Sequence, residues 1–254
     1  MTLSDLEVER YSRQLVLPEW SGEAQERLRS ASAVVVGLGA LGSPAATYLV
    51  AAGVGTVGVV DDGHVELSNL HRQPLHFTPD LDLPKVATAA VKLRVLNPEV
   101  QVEEYRVRVE RENAEAIVAG AGVVLDCTDT FDTRYLLNDA CCAQEVPLVS
   151  AAVLGFAGQL MTIVPGRSAC YRCAFEQPPP AGAVPSCREA GVVGATAGII
   201  GSMQALEAIK LIAGVGDPLF NTILQLDALT MEQTLVATER RAGCPACAGV
   251  AATV

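Results

Sequence analysis

The first half of the chain alternates short β-branched apolar runs with longer stretches of helical periodicity. Residues 33–36 (Ala-Val-Val-Val) and 56–60 (Thr-Val-Gly-Val-Val) are short and rich in valine, as buried strands are. Between them Gly37, Gly39 and Gly42 lead into a helix predicted over residues 43–52, which Gly53 stops. A further short helix is expected at 23–30. Pro84 suits the first turn of a helix reaching about residue 96, and Asn97-Pro98 ends it. Residues 100–109 read as a strand with a phase slip at Glu103-Glu104. A helix (112–119), a strand (123–127), a helix (133–144) and a strand (147–151) follow. Such alternation predicts a mostly parallel sheet covered on both faces.

After residue 151 the pattern changes. Residues 159–164 read as a strand with no helix behind it, and 170–188 are irregular around Pro178-Pro179-Pro180. The longest apolar stretch, 191–213, contains Gln204, Glu207 and Lys210, which marks a buried helix rather than a membrane span. Strands at 222–226 and 231–236 flank a turn at 228–230. The expected fold class is α/β: a Rossmann-like, mostly parallel sheet with helices on both faces, extended by antiparallel strands. We divide it into an N-terminal helical segment (1–30), a nucleotide-binding region (31–165) and a region at 166–254 continuous with the same domain.

Composition adds two constraints. Hydrophobic residues make up 50% of the 254 positions and aromatic ones only 4%, so a sizeable core must be aliphatic. The net charge, 18 − 29 = −11, repels a polyanionic backbone, so nucleic acid is not an expected partner. Residues 1–22 are too polar for a secretory leader. The expected location is the cytoplasm, with no membrane partner.

The glycine turn, with Asp61 and Asp62 closing the next strand, has the spacing of a nucleotide site. Gly37 permits the tight turn, Gly39 lets phosphate approach the backbone, and Gly42 lets helix and strand pack closely. Asp61 is favoured over Asp62 as the ribose acceptor. Arg72 and Lys85 follow; an arginine fork and a mobile lysine suit charge developing at phosphorus, although each alone could be a solvated cation. In a parallel sheet Asp129 falls in the crevice beyond the strand ends, where a carboxylate could hold magnesium together with phosphate oxygens. Asp126 could organise that loop through backbone hydrogen bonds, or both aspartates could merely cap the next helix.

Of eight cysteines, Cys170/Cys173 and Cys244/Cys247 form two Cys-x-x-Cys pairs. Together they supply four thiolates for a closed structural zinc site, with no position left for substrate. Cys187 sits beside Arg188 in a polar segment where a thiolate would be favoured; a chemical role and an inert one both stay open. Arg13 has no local feature that sets it apart. His64, His71 and His76 lack metal-ligand spacing.

These residues together resemble the MoeB/ThiF/HesA family, relatives of the ubiquitin-activating enzymes. The matching pieces are RYSRQL (10–15), GLGALGSP (37–44), AAGVG (51–55), VDDGHVELSNLHRQ (60–73), PK (84–85), DCTDTFDTRYLLNDAC (126–141), CYRC (170–173), PSCREAGVVG (185–194) and CPAC (244–247). The resemblance implies a homodimeric adenylyltransferase. It would use ATP and magnesium to activate the C-terminal Gly-Gly carboxylate of a small ubiquitin-like sulfur carrier, MoaD-like or ThiS-like, releasing pyrophosphate. It further implies that Gly37, Gly39, Ala40, Gly42, Asp61, Asp62, Ser68, Asn69, Arg72, Gln73, Lys85, Asp129 and Thr130 surround the nucleotide. Arg13 is expected to reach the partner subunit's site. Cys187 matches a position that carries a covalent carrier intermediate in the thiamine branch and is dispensable elsewhere. Ala40 and Thr130 depart from the family's usual glycine and asparagine. Only residues 248–254 follow Cys247, so the sulfur donor is expected to be a separate protein. Two other classes compete, an NAD-dependent oxidoreductase and a non-catalytic carrier-binding scaffold.

Overall fold

The computed structural model describes residues 3–180, 182–183, 185 and 187–251; the side chains of Cys187 and Arg188 lie outside that description. Three helices precede the sheet: α1 (Asp5–Arg10), α2 (Ser12–Leu15) and α3 (Gly22–Ser30). Ser4 and Glu7 form a reciprocal cap at α1. The short, polar α1 and α2 give no periodicity to read in the sequence. They dock through specific bonds: the Tyr11 hydroxyl accepts from Asn97 Nδ2 (2.9 Å), Gln14 donates to Gln25 (2.9 Å), and Arg29 pairs with buried Glu7 (3.1 Å).

The alternating half runs β1 (Ser32–Val36), α4 (Gly42–Ala52), β2 (Thr56–Val60), α5 (Lys85–Leu96), β3 (Gln101–Tyr105), α6 (Ala114–Val118), β4 (Val123–Asp126), α7 (Phe131–Ala143) and β5 (Leu148–Leu154). Then come β6 (Ala157–Ile163), the short α8 (Tyr171–Ala174) and α9 (Cys187–Ala190), the long α10 (Gly194–Ala213), β7 (Thr222–Asp227) and β8 (Glu232–Ala237). One sheet holds all eight strands in the order β3-β2-β1-β4-β5-β6-β7-β8. The first five are parallel, and β6, β7 and β8 add antiparallel pairs.

Both faces of the central strands β1, β2 and β4 are buried, as their continuous apolar runs require, whereas the outer strands β3 and β8 are largely exposed. Ala33 and Val35 of β1 point into a core with α3, α4, α5 and α10; Val34 and Val36 point into a second core with α6, α7 and the cysteine-rich segment.

Three expectations need correction. The strand expected over 100–109 stops at Tyr105, because β3 is the sheet edge and its five-residue register with β2 is used up there. The phase slip at Glu103-Glu104 marks that end, and Val109 leaves the strand for the second core. Pro84 caps α5 from outside the helix rather than sitting in its first turn. Met231 belongs to the β7–β8 turn, with φ 61°, so β8 starts one residue later than expected.

Strand order reverses between β1 and β4. At such a switch point a crevice opens beyond the carboxyl ends of the strands. Among the described residues no helix is long and apolar enough to cross a membrane.

Candidate active site

A cleft of about 2630 Å³ opens at the switch point. Small-ligand sites run from roughly 300 to 1,000 Å³, so there is room for a nucleotide and an extended peptide together. The glycine turn forms one wall. Gly37 has φ 91°, and a side chain there would meet the Cys127 carbonyl at 2.9 Å. At Gly42 a Cβ would fall 1.8 Å from the Gly37 oxygen, so α4 packs directly on the turn's backbone. Gly39 has only Gln73 Nε2 near the position of a Cβ (3.7 Å), which leaves its backbone open to a phosphate. Positive φ among described non-glycine residues occurs at Asp82, Glu145, Asn221 and Met231; Ala40 is not one of them, so its methyl group strains nothing.

Asp61 is tied to this turn. Its Oδ2 accepts from Leu38 N and its Oδ1 from Gly63 N, each at 2.7 Å. It therefore shapes the loop and keeps only its remaining lone pairs for a ribose. Asp62 is exposed and lines the same cleft.

Beyond β2 the chain makes a tight turn, Leu67–Asn69, that presents Arg72 and Gln73. Buried Asn69 accepts from Glu66 N (3.3 Å) and donates to Ser68 Oγ (3.4 Å), which makes it the turn's internal brace. Arg72 Nη1 donates to the Ser68 carbonyl (2.7 Å) and to His71 Nε2 (2.9 Å). A guanidinium only donates, so that histidine nitrogen must accept. Neither Arg72 nor Lys85 joins an ion pair among the described residues. Gln73 is 4% exposed, and its buried Oε1 has no hydrogen-bond partner. An orphaned buried acceptor is costly without a ligand to satisfy it.

The opposite wall follows β4. Asp126 and Asp129 have separate duties. Buried Asp126 accepts from Thr128 N (3.0 Å), Thr128 Oγ1 (2.6 Å) and Ser150 Oγ (3.0 Å), and lies 3.6 Å from Arg134 Nη1. Arg134 also donates to the Ala151 (2.6 Å) and Thr128 (2.5 Å) carbonyls. Asp129 is exposed in the cleft, with no hydrogen bond or ion pair among the described residues. The cap of α7 is neither aspartate but Thr130, whose Oγ1 accepts from Thr133 N (3.4 Å). Arg134 was invisible to sequence reasoning, since one arginine on an amphipathic helix looks solvated. So was His76, which lies buried beneath the glycine turn.

Ser68, Asn69 and Thr130 also line the cleft. Arg13 does not: it is exposed on α2 and absent from the lining of its own chain's cleft. Cys187 opens α9, between cleft-lining Pro185 and Glu189; its side chain lies outside the described residues. Burial, then the Asp126 charge, push the Cys127 thiol well up, so that cysteine is inert.

The sulfurs of Cys170, Cys173, Cys244 and Cys247 all lie within 4.8 Å of one another. Neighbouring sulfurs are separated by 3.8 Å (Cys170–Cys173) and 3.5 Å (Cys170–Cys244 and Cys173–Cys247). Four thiolates about 2.3 Å from a tetrahedral zinc would stand ~3.8 Å apart. The cluster therefore fits a structural metal ion. Likewise the open glycine backbone, the two cations Arg72 and Lys85 with no ion pair among the described residues, and the orphaned Gln73 oxygen fit a nucleotide.

Several known proteins are similar to this chain. The sulfur carrier protein adenylyltransferase of Thermus thermophilus is 48% identical over 246 residues, covering 95% of this chain and 91% of its own. The SAMP-activating enzyme E1 of Haloferax volcanii is 44% identical, covering 97% and 91%. The adenylyltransferase and sulfurtransferase MOCS3 of Sus scrofa is 46% identical, but the chain spans only 54% of its length. Among solved structures, E. coli MccB crystallised with ATP superposes with a TM-score of 0.85 at 20% identity over 94% of this chain and 75% of its own, a likeness of fold. The ThiF family model matches residues 11–246, and this chain belongs to the ThiF family.

Proposed function

We propose that the protein adenylates the C-terminal Gly-Gly carboxylate of a small ubiquitin-like sulfur carrier, for later conversion to a thiocarboxylate. The observation that carries this reading is the meeting of Arg72, Lys85 and Asp129, none with an ionic partner among the described residues, around a cleft larger than a nucleotide needs. The glycine turn and the N-terminus of α4 receive the triphosphate of ATP, and Gln73 Oε1 accepts a hydrogen bond from a ribose hydroxyl. The carrier carboxylate attacks the α-phosphorus, the bond to the bridging oxygen breaks, and pyrophosphate leaves. Arg72 and Lys85 stabilise the charge that grows on the phosphate oxygens. Asp129 would hold Mg²⁺, which supplies charge compensation for the leaving pyrophosphate. Hydride transfer to NAD offers these three residues no work, and a scaffold would have no reason to keep them unpaired.

Three parts of the reading concern partners and place. Arg13, exposed outside its own cleft, serves the site of a second subunit in a homodimer. The four cysteines hold Zn²⁺ and fix the 166–254 region, where the carrier docks. Cys187 acts after adenylation, when a separate sulfur donor meets the acyl-adenylate in the cytoplasm. The decisive experiment incubates protein and Mg-ATP with each Gly-Gly-ending small protein of the same cell and reads intact mass. One carrier should gain AMP; no gain on any of them would overturn the proposal.

A further inference from the structure

His76 is the point where three separate parts of the cleft meet. It is 3% exposed. Its Nε2 lies 3.1 Å from the carbonyl of Leu38, inside the glycine turn. Its Nδ1 lies 2.9 Å from Thr88 Oγ1 on α5, whose first residue is Lys85. Its own backbone N–H closes the turn that follows Arg72, donating to the Gln73 carbonyl at 3.0 Å.

The hydrogen positions follow from the partners. A carbonyl only accepts, so Nε2 carries the proton and donates to Leu38. Burial, reinforced by the charges of Lys85 and Lys92 and opposed by the Leu38 carbonyl and Asp61, pushes the imidazole's pKa down. The ring is therefore neutral at pH 7, and Nδ1 accepts from the Thr88 hydroxyl. Thr88 itself stands in the first turn of α5, so this bond ties the ring directly to the start of the Lys85 helix. On the other side of Leu38, its N–H donates to Asp61. Leu38, at the heart of the phosphate turn, is thus held on both sides, by Asp61 at its nitrogen and by His76 at its oxygen.

We propose that His76 is a positioning residue: it fixes the glycine turn, the Arg72 turn and the Lys85 helix at one mutual spacing, so that phosphate cradle and cations meet the same phosphorus. Its catalytic consequence rests on the adenylation reading above; its architectural content does not. Small displacements of such groups are costly, on the order of 100-fold in rate for about 1 Å.

The test uses the whole 254-residue chain in three variants. His76→Phe keeps the ring and removes both side-chain bonds. His76→Gln restores an amide N–H at about the Nε2 position, able to donate to Leu38. Thr88→Val breaks only the link to α5. Hydrogen–deuterium exchange is read at residues 37–42 and 85–88, and carrier-dependent ATP–pyrophosphate exchange gives kcat and KM for ATP. In His76→Phe, amide exchange should rise about fivefold in both segments, the effect of losing one hydrogen bond. The kcat should drop roughly 10- to 100-fold, with a much smaller change in KM. His76→Gln should recover the 37–42 segment and most of kcat. Thr88→Val should loosen 85–88 alone, and it carries the test if the phenylalanine variant does not fold. Unchanged amide exchange in these segments, or a glutamine variant no better than the phenylalanine one, would overturn the proposal. If the wild-type protein adenylates no carrier while amide exchange responds as expected, the functional reading fails and the positioning role stands.

Discussion

Asp126 and Asp129 are three residues apart and should fail in opposite ways. Asp126 and Arg134 have side chains only 1% and 7% exposed, so Asp126→Asn leaves a guanidinium charge buried without its counter-ion. Removing one partner of a buried pair costs about 3–5 kcal/mol. An asparagine oxygen still accepts from Thr128 N, which places this change at the lower end, near 3 kcal/mol. At roughly 2–4 °C per kcal/mol for a chain of this size, Tm should drop by about 6–12 °C. Asp129 is exposed and has no partner among the described residues, so Asp129→Asn should change stability by less than about 0.5 kcal/mol. Its loss should instead abolish most carrier adenylation, because the charge that would face magnesium is gone. Thermal unfolding and ATP–pyrophosphate exchange on the two variants decide the matter. An Asp126→Asn protein melting within about 2 °C of wild type would refute the buried-pair reasoning; near-normal exchange in Asp129→Asn would remove it from the metal site.

The remaining predictions address single roles. Arg72→Ala and Lys85→Ala should each slow adenylation by roughly 100-fold while some ATP binding persists, and unchanged turnover would exclude that residue. Reduced, freshly purified protein should contain about one zinc per chain, and Cys244→Ser should lose metal and melt earlier; elemental analysis without zinc would dismiss the site. Mixing Arg13→Ala with Asp129→Asn subunits should restore activity that neither homodimer has, whereas proven subunit exchange without recovery would confine Arg13 to its own chain. Cys187→Ala should leave AMP attachment intact, and a collapse of that step would place Cys187 in the nucleotide site.

The centre of the sheet was legible because β1, β2 and β4 are short valine-rich runs buried on both faces. The cysteine cluster was legible because metal ligands need fixed local spacing, and the two pairs carry it. Residues whose duty arises only where distant segments meet were not. His76 joins three such segments, and Arg134 pairs backward across a loop to Asp126. Asp126 was readable as a loop organiser, but the sequence left helix capping open, and the structure gives that duty to Thr130. The docking of α1 and α2 escaped notice because it depends on Tyr11 and Asn97 meeting across 86 positions.

The cleft has one wall without buffers. Gly42 presses on the Gly37 carbonyl, and on α10 a Cβ at Gly201 would lie 2.4 Å from the Leu41 carbonyl and one at Gly194 2.5 Å from that of His71. Side chains absorb a displacement by changing rotamer; two backbones in contact cannot. A shift of α10 therefore passes undamped into the phosphate turn and into the segment carrying Arg72. The nucleotide side of the cleft behaves as a single casting, made to one shape. Adjustment to a different guest falls to the side chains that line the rest of the cleft, Phe156, Gln159 and Leu229 among them.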